Sequence, residues 1–290
     1  MDSTNENEYV PVVFSGRKLL IATKHEKEQV IAPLFAEKLG ALPVVVEGFN
    51  TDLLGTFTGE IPRSDDPLTT LRKKCHLALA QGGGDWVVAS EGSFGPHPSL
   101  FGLPANDELM MCIDTMHQLE VVARTLTINT NFQGGWINDE QELMAFAERA
   151  LFPSHALILR AHPEKPDGIV KGIQQAEELV KGWREIHARW GAVYAETDMR
   201  AMCNPGRMQV IAETAVKLVN KLLCCCPQCT FPGFDIVDVV YGLPCILCGT
   251  PTSTVLSRQW GCRRCGFVQT EEYPQQKITE DPMNCPVCNP

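Results

Sequence analysis

The first 222 residues alternate between short, uninterrupted apolar runs and longer segments whose apolar positions lie three or four residues apart. Uninterrupted apolar runs are typical of strands covered on both faces, and the wider spacing is typical of amphipathic helices. The pattern predicts strands at 19–22, 44–46, 86–90, 120–129, 156–160, 169–173 and 192–196, and helices at 26–39, 67–80, 139–151, 174–190 and 207–223. This order predicts an α/β domain over residues 11–222, with a mixed sheet in a three-layer arrangement.

The pattern changes near Leu223, where cysteine pairs replace the helices. Ten of the thirteen cysteines lie between Cys224 and Cys288. Eight of them form four C-x-x-C pairs: Cys226/Cys229, Cys245/Cys248, Cys262/Cys265 and Cys285/Cys288. Two intervening residues let both thiolates reach one metal ion, and structural zinc sites take four ligands. Residues 223–290 are therefore predicted to form a small double zinc-ribbon module with two sites of four cysteines each, an iron–sulfur cluster being the lesser alternative.

The spacing of the pairs also indicates which of them share a metal. Residues 234–240 predict one strand of about 24 Å, without an internal turn, that carries the second pair away from the first. Residues 252–260 predict a returning strand that brings the third pair back. This favours joining the first pair with the third and the second with the fourth. Nearest-neighbour pairing stays open, as does the replacement of Cys226 by Cys224 or Cys225.

Composition narrows the class of protein. The chain has 290 residues, of which 44% are hydrophobic and 21% charged, as expected for a folded globular protein and not for a disordered one. No apolar stretch approaches the ~18 residues of a membrane span, so no membrane partner is expected. A formal net charge of −10 argues against generic nucleic-acid binding, which needs a basic surface.

The N-terminus and the isolated cysteines complete this picture. Residues 1–10 are polar and acidic, the opposite of a signal peptide, so we expect a disordered tail and a cytoplasmic protein. Cys75, Cys112 and Cys203 stand alone and are expected to be buried core residues. The sequence leaves the oligomeric state open.

Polar side chains follow several predicted strands, at the ends where ligands bind in α/β sheets. Lys24 and Lys27 follow the first strand and open a helix whose N-terminus favours an anion. A glycine-punctuated loop after the strand at 86–90 contributes Glu91 and His97. The segment that follows the last strand contributes Glu196, Asp198, Arg200 and Arg207. Carboxylates suit a divalent cation and basic residues suit phosphates, so this set predicts a nucleotide or phosphate-ester site.

These residues also have structural interpretations. Lys24 and Lys27 are equally consistent with solvated charges in the first turn of a helix. Glu91 is also consistent with a turn cap, and His97, which lies between two prolines, with a structural residue of a rigid loop. The group from Glu196 to Arg200 is the densest and the most favoured as functional.

Five short stretches carry a resemblance to a known family. They are residues 22–25 (ATKH), 55–60 (GTFTGE), 90–97 (SEGSFGPH), 196–200 (ETDMR) and 285–290 (CPVCNP). In these stretches, and over nearly its whole length, the chain resembles a bacterial family described only as a domain of unknown function. The resemblance implies an α/β domain followed by a zinc module with four cysteine pairs, and it implies no activity.

A second resemblance rests on the order of three segments. A turn at 22–25 precedes a lysine-bearing helix, residues 71–75 lie in a basic helix, and residues 85–92 read DWVVASEG. In this order they are similar to the inosine/xanthosine triphosphate pyrophosphatase superfamily, which has a strand of the form Asp-aromatic-x-Val-Ala-x-Glu-x-Gly. The resemblance implies that Lys27 contacts phosphate and that Glu91 belongs to a Mg²⁺ site. The chain departs from the superfamily at His25, which replaces an asparagine.

The leading hypothesis is a Mg²⁺-dependent hydrolase of nucleotides or phosphate esters. Its catalytic and metal-binding residues would be Glu91, Glu196, Asp198 and His97, and its phosphate-binding residues Lys24, Lys27, Arg200 and Arg207. The alternative is a non-catalytic protein whose zinc ribbons bind a protein or nucleic acid through Arg263 and Arg264. In both cases the zinc ions are expected to stabilise a module too small for its own hydrophobic core.

Overall fold

The computed structural model describes residues 12–49, 66–165 and 167–290. The chain divides into two compact units, Phe14–Val219 and Asn220–Pro290, and Val12 and Val13 belong to the second. We call them the α/β unit and the cysteine unit. The tail at 1–10 and the stretch at 55–60, both used in the sequence predictions, lie outside the described residues.

The first sheet of the α/β unit is mixed, as the sequence predicts. Its strands are β1 (Lys18–Ala22), β2 (Leu42–Val45), β3 (Trp86–Pro96), β4 (Pro104–Asp114) and β5 (Leu119–Thr127), in the order β2-β1-β3-β4-β5. β1 is parallel to β2 on one side and to β3 on the other. β4 is antiparallel to both of its neighbours, so β3, β4 and β5 form a meander.

Helices α1 (Glu28–Leu39) and α2 (Pro67–Gly82) connect the three parallel strands. The chain leaves β1 towards β2 and then crosses back over β1 to β3. Because such crossovers are right-handed, the two helices lie on opposite faces of the sheet. Leu71, Cys75 and Ala78 of α2 pack in a buried cluster with strand residues such as Val87 and Met111. The ends of β1 and β3 therefore flank a topological switch point, where α/β sheets bind ligands.

The second sheet of the α/β unit is antiparallel and is separate from the mixed one. Its strands are β6 (Gly134–Ile137), β7 (Leu157–Arg160), β8 (Val170–Ile173) and β9 (Val193–Thr197), in the order β6-β9-β7-β8. Helices α3 (Glu140–Arg149) and α4 (Ala176–Trp190) share a buried core with it, which includes Phe146, Leu159 and Leu179. A short 3-10 turn at Ala201–Cys203 leads into the long helix α5 (Pro205–Leu223).

The cysteine unit contains an antiparallel sheet of three strands, β10 (Asp235–Tyr241), β11 (Val255–Gly261) and β12 (Val268–Glu272). The first two confirm the strands predicted at 234–240 and 252–260. The third is nearly all polar, which is why its pattern predicts no strand. The predicted class, an α/β domain followed by a ribbon module, is confirmed.

One expectation about the α/β unit is wrong in detail, and one strand is missing from the prediction. The sequence predicts a loop at 91–97, but β3 continues to Pro96 and pairs with β4 throughout. β4 is missing from the prediction: its first half contains the polar run Asn106, Asp107 and Glu108, although the apolar run at 109–113 that follows is a strand signal. Within the described ranges, none of the helices combines the length and the apolar character that crossing a bilayer requires.

Candidate functional sites

Two groups of four cysteines lie in the cysteine unit. They are Cys226, Cys229, Cys262 and Cys265, and Cys245, Cys248, Cys285 and Cys288, each with its sulfur atoms within 4.8 Å of one another. Four of the cross-pair sulfur–sulfur distances are 3.6, 3.6, 3.7 and 3.9 Å. A tetrahedral zinc ion with bonds of about 2.3 Å sets its sulfurs about 3.8 Å apart, so both groups could hold zinc. The predicted joining of the first pair with the third and the second with the fourth is confirmed.

The four cysteine pairs share one turn. In each, the carbonyl of the first cysteine accepts a hydrogen bond from the N–H four residues later, at 2.8–3.0 Å. The residue after the second cysteine is left-handed at Thr230, Gly249 and Gly266, with φ of 58°, 74° and 75°. Glycine adopts this conformation without strain, which explains its position in the second and third pairs.

The two additional cysteines lie outside the clustered sulfurs. Cys226 occupies the ligand position in the first group, so the sequence alternatives Cys224 and Cys225 do not replace it. Cys224 instead packs against the small core that contains Phe234. The isolated cysteines Cys75, Cys112 and Cys203 are buried, as predicted.

A buried polar cluster lies beside the switch point of the α/β unit. The Lys27 ammonium donates to Ser90 Oγ at 2.8 Å and lies 3.5 Å from Glu108 Oε1. The Arg207 guanidinium lies 3.3–3.4 Å from the other oxygen of Glu108, through Nη2 and Nε. All four residues are buried. Burial lowers the pKa of Lys27 from 10.5 to about 8; Glu108 opposes this shift and Arg207 adds to it.

The lack of a side chain at Gly92 makes room for this polar cluster. A Cβ atom at this position would overlap the Glu108 carboxylate and the Arg207 guanidinium. On the other face of β3, Glu91 forms a buried ion pair with Lys74 of α2. Ser90 and Glu91, which are adjacent on β3, therefore contact Lys27 and Lys74, respectively, on opposite faces of the sheet.

His25 feels the charge of all four basic residues that the sequence predicts to bind phosphate. Its backbone is left-handed, with φ of 70°, and Glu26 follows with φ of 63°. Its pKa is lowered from 6.5 to about 4, first by burial and then by the positive charges of Lys27, Arg200, Lys24 and Arg207. The positive charges of these four side chains thus all act on one imidazole, with Lys24 exposed and Lys27 and Arg207 in the interior.

The carboxylates predicted to bind Mg²⁺ contact basic groups. Asp198 is fully buried and accepts hydrogen bonds from Arg200 Nε at 2.9 Å and from the N–H of Gly172 at 3.1 Å. Glu196 pairs with Arg160 Nη2 at 2.7 Å. Burial raises the pKa of Glu196, while Arg160 opposes this effect.

These carboxylates do not form one metal-binding group. Glu91 lies on the first sheet, whereas Glu196 and Asp198 lie on and after the last strand of the second. Among the described residues, three or more His, Cys, Asp or Glu ligand atoms come together only in the two cysteine groups. The predicted Mg²⁺ site therefore stays a prediction.

His97 lies at the turn between β3 and β4. Its Nδ1 accepts hydrogen bonds from the N–H groups of Ser99 and Leu100, at 3.1 and 2.9 Å. Seven residues of extended chain, about 23 Å, separate it from Ser90. This arrangement matches the structural interpretation of His97, and the structure does not bring it to the basic residues.

A cleft of about 320 Å³ opens between the start of α1 and the start of α5. Glu26 and Gln29 line one side, and Met202, Met208 and Gln209 line the other. Its lining is largely apolar with a few polar groups, and its volume is near the lower end of small-molecule pockets.

Sequence reasoning misses Ser90, Lys74 and Glu108. One signal for Lys74 was available, since it falls between Leu71 and Ala78 on the apolar face of α2. A lysine on such a face needs a buried carboxylate. Glu108 has no local signal, because its basic partners lie 81 and 99 residues away along the chain.

Comparison with known proteins adds one match. The model of a family described as a domain of unknown function (DUF6671) matches residues 74–290. The range contains both cysteine groups and also Lys74, Glu91, Glu108 and Arg207, while β1 and α1 precede it. No curated protein matches the chain.

Proposed function

Because the chain belongs to the family described as a domain of unknown function (DUF6671), we propose its function from its own residues. In this proposal the cysteine unit holds two structural zinc ions. The α/β unit binds a nucleotide or another phosphorylated small molecule between Lys24, His25 and Arg200, beside the buried Lys27 and Arg207.

The observation that carries the phosphate proposal is the sharing of Glu108 by two cations. Lys27 and Arg207 contact the two oxygens of this one carboxylate in a buried setting. The positive charges of Lys27, Arg200, Lys24 and Arg207 all act on the nearby His25, so an anion bound there would be attracted by them. Lys24 and Arg200 add positive charge on the side nearer to solvent, in a chain whose net charge is −10.

The position of the cluster supports the same ligand class. The loop after β1 and the residues of β3 next to it flank a topological switch point, and α1 begins beside them. Helix N-termini favour phosphate groups. The adjoining cleft between Gln29 and Met208 offers an apolar surface for the organic part of a nucleotide or ester.

Zinc is proposed because of its fit to the ligands. Four thiolates at tetrahedral spacing are typical of structural zinc, and they leave no position for a substrate. Metal analysis of the protein purified under reducing, chelator-free conditions should return about two zinc ions per chain. Finding no zinc would overturn this part of the proposal.

Anion binding is testable by calorimetry with inorganic phosphate, nucleoside mono- and triphosphates and a sugar phosphate. Arg200→Gln and Lys24→Gln should each weaken binding about tenfold, since each removes one charge-assisted contact. Lys181→Gln is the matched control, because Lys181 is exposed and pairs only weakly, at 3.9 Å, with Glu185 on α4. Equal binding by all three variants, or none by the natural chain, would contradict the proposal.

Hydrolysis through Mg²⁺ is the catalytic form of this proposal. Glu91 would have to exchange Lys74 for the ion, so binding and turnover need separate measurement. The same compounds, incubated with Mg²⁺ or Mn²⁺, should release phosphate or pyrophosphate, and Glu91→Gln should abolish the release. If these compounds bind but no phosphate or pyrophosphate is released, the protein is a receptor for them and not a hydrolase.

The alternative role in binding a macromolecular partner has one supporting observation. Ile246, Leu247, Met283 and Val287, which lie in or next to the cysteine pairs of the second group, are 64–75% exposed. Arg264 lies over the ring of Phe231, at 4.4 Å, which supports a structural role. A protein partner is therefore better supported than nucleic acid. Unchanged oligonucleotide binding in an Arg263→Ala/Arg264→Ala variant would agree with this preference.

A further inference from the structure

Ser90 and Lys27 have the geometry of a nucleophile and its base. Lys27 Nζ lies 2.8 Å from Ser90 Oγ, and Glu108 Oε1 lies 3.5 Å from the same nitrogen. A serine becomes a nucleophile when a neighbouring base takes its proton and a third group orients that base. The three side chains meet this condition.

The setting of Lys27 suits a base that works near neutral pH. Its ammonium is buried, and Arg207 competes with it for Glu108. Lys74 and Glu91 act on it from the other face of the sheet, in opposite directions, and their effects are smaller. With a pKa of about 8, roughly a tenth of Lys27 is neutral at pH 7 and can accept a proton.

The position of Ser90 also favours a role in chemistry. The pairing of β1 with β3 ends at Ala22 and Ala89, so Ser90 is the first residue beyond it. It therefore lies at the switch point, on the side of β3 that Lys27 reaches.

We propose that Ser90 is a catalytic nucleophile, with Lys27 as its general base, for phosphoryl transfer from the ester or anhydride that the basic residues bind. The substrate class rests on the function proposed above. The nucleophile itself rests on the separate contact between Ser90 and Lys27.

The reaction has two steps. Ser90 Oγ attacks phosphorus while neutral Lys27 takes the hydroxyl proton, the bond from phosphorus to the leaving oxygen breaks, and that oxygen takes the proton from Lys27. Water then attacks the phosphoserine, Lys27 takes a proton from the water, and the Ser90 oxygen regains a proton as its bond to phosphorus breaks. Inorganic phosphate is released, and Arg207 and Arg200 would offset the charge on the phosphoryl oxygens.

The test uses diisopropyl fluorophosphate, an uncharged reagent that does not need the anion site. Attack by Ser90 breaks the P–F bond and leaves a stable adduct, which intact mass and peptide mapping locate. One adduct per chain is expected at Ser90, and Ser90→Ala should remove it. Ser93→Ala, on the same strand, should leave it unchanged. The labelling rate should rise about tenfold from pH 7 to pH 9, as the neutral fraction of Lys27 rises.

The outcomes separate the two proposals. No adduct, an adduct at another serine, or a rate independent of pH would overturn the role of Ser90 and Lys27. Lys27→Met should slow labelling at least a hundredfold, and its thermal melt shows whether the variant is folded. Labelling at Ser90 that inorganic phosphate slows supports both proposals. If inorganic phosphate does not change the labelling rate, Ser90 is still the nucleophile, but the proposed phosphate substrate is refuted.

Discussion

The ammonium of Lys74 on α2 and the carboxylate of Glu91 on β3 form an ion pair in the interior of the α/β unit. Both side chains are at most 10% exposed. The desolvation of such a pair offsets much of its attraction, whereas removing one partner leaves an uncompensated buried charge. The pair therefore matters for folding whether or not Glu91 also binds a metal.

Glu91→Gln should lower the free energy of unfolding by about 3 kcal/mol, because Lys74 loses its charged partner. The double variant Lys74→Met/Glu91→Leu should recover most of this loss. Lys73→Met is the control, since Lys73 is the neighbouring lysine of the same helix and is exposed. Urea denaturation gives the values. A Glu91→Gln chain as stable as the natural one would show that the pair is not needed for folding.

Gly92 gives a prediction with a close internal control. Gly92→Ala should destabilise the chain by about 2–3 kcal/mol, because the new methyl group overlaps Glu108 and Arg207. Gly95→Ala, on the same strand, has open space at its Cβ position and should be nearly neutral. Thermal melts of both variants measure the difference, and equal melts would contradict the packing around Glu108.

The fold was predictable where the pattern of the chain is local. Helices such as α2 and α4 have periodic apolar faces and capping residues. The strand that returns towards the first cysteine pair was predictable from the length of the segments between the pairs. Only the first half of β4 was hidden, since Asn106 to Glu108 are polar in sequence, whereas the apolar run at 109–113 was a strand signal that the prediction missed. Glu108 is buried only because Lys27 and Arg207, from distant segments, reach it.

The candidate site was predictable as a set of residue types and not as a geometry. Lys24, Lys27, Arg200 and Arg207 each follow a strand or begin a helix, and the positive charges of all four act on His25. The carboxylates that were predicted to bind Mg²⁺ do not come together in this way. Each of them contacts a basic side chain, and the sequence alone does not show which one. Glu91 with Lys74, and Glu196 with Arg160, are examples.

Lys27 should make stability depend on pH in the alkaline range. The pKa of Lys27 is about 8 in the folded chain, against the ordinary value of 10.5 that applies to the unfolded chain. Between pH 8 and pH 10.5 the folded chain has therefore lost a proton that the unfolded chain still holds. Raising the pH from 8 to 10.5 therefore favours folding through this group. Lys27→Met should be about 2 kcal/mol more stable at pH 7 and should lack this part of the rise. Denaturation at several pH values tests both points, and a less stable variant at pH 7 would contradict them.

His25 should report the arrival of an anion. Its pKa of about 4 reflects burial and four positive charges, so it is neutral at pH 7. A bound phosphate would offset those charges and raise the pKa, and NMR of the ring protons measures this shift. The signals of the exposed His76 are the control and should not respond to phosphate. A His25 titration that phosphate leaves unchanged would mean that the anion binds elsewhere.

Glu280 should support the second cysteine group through the backbone around it. Its carboxylate accepts hydrogen bonds from Lys277, Thr254 and Asn284, which lower its pKa to about 2, with Lys277 the largest cause. Its N–H and carbonyl bond to Pro244 and Ile246, on either side of Cys245. Glu280→Ala should weaken zinc binding at this group about tenfold, as the loss of a supporting contact around a metal site usually does. Competition with a chromogenic chelator should then remove one zinc per chain earlier than the other. The group at Cys226 is the internal control, and a variant that releases its two zinc ions at the same chelator concentrations as the natural chain would contradict the supporting role of Glu280.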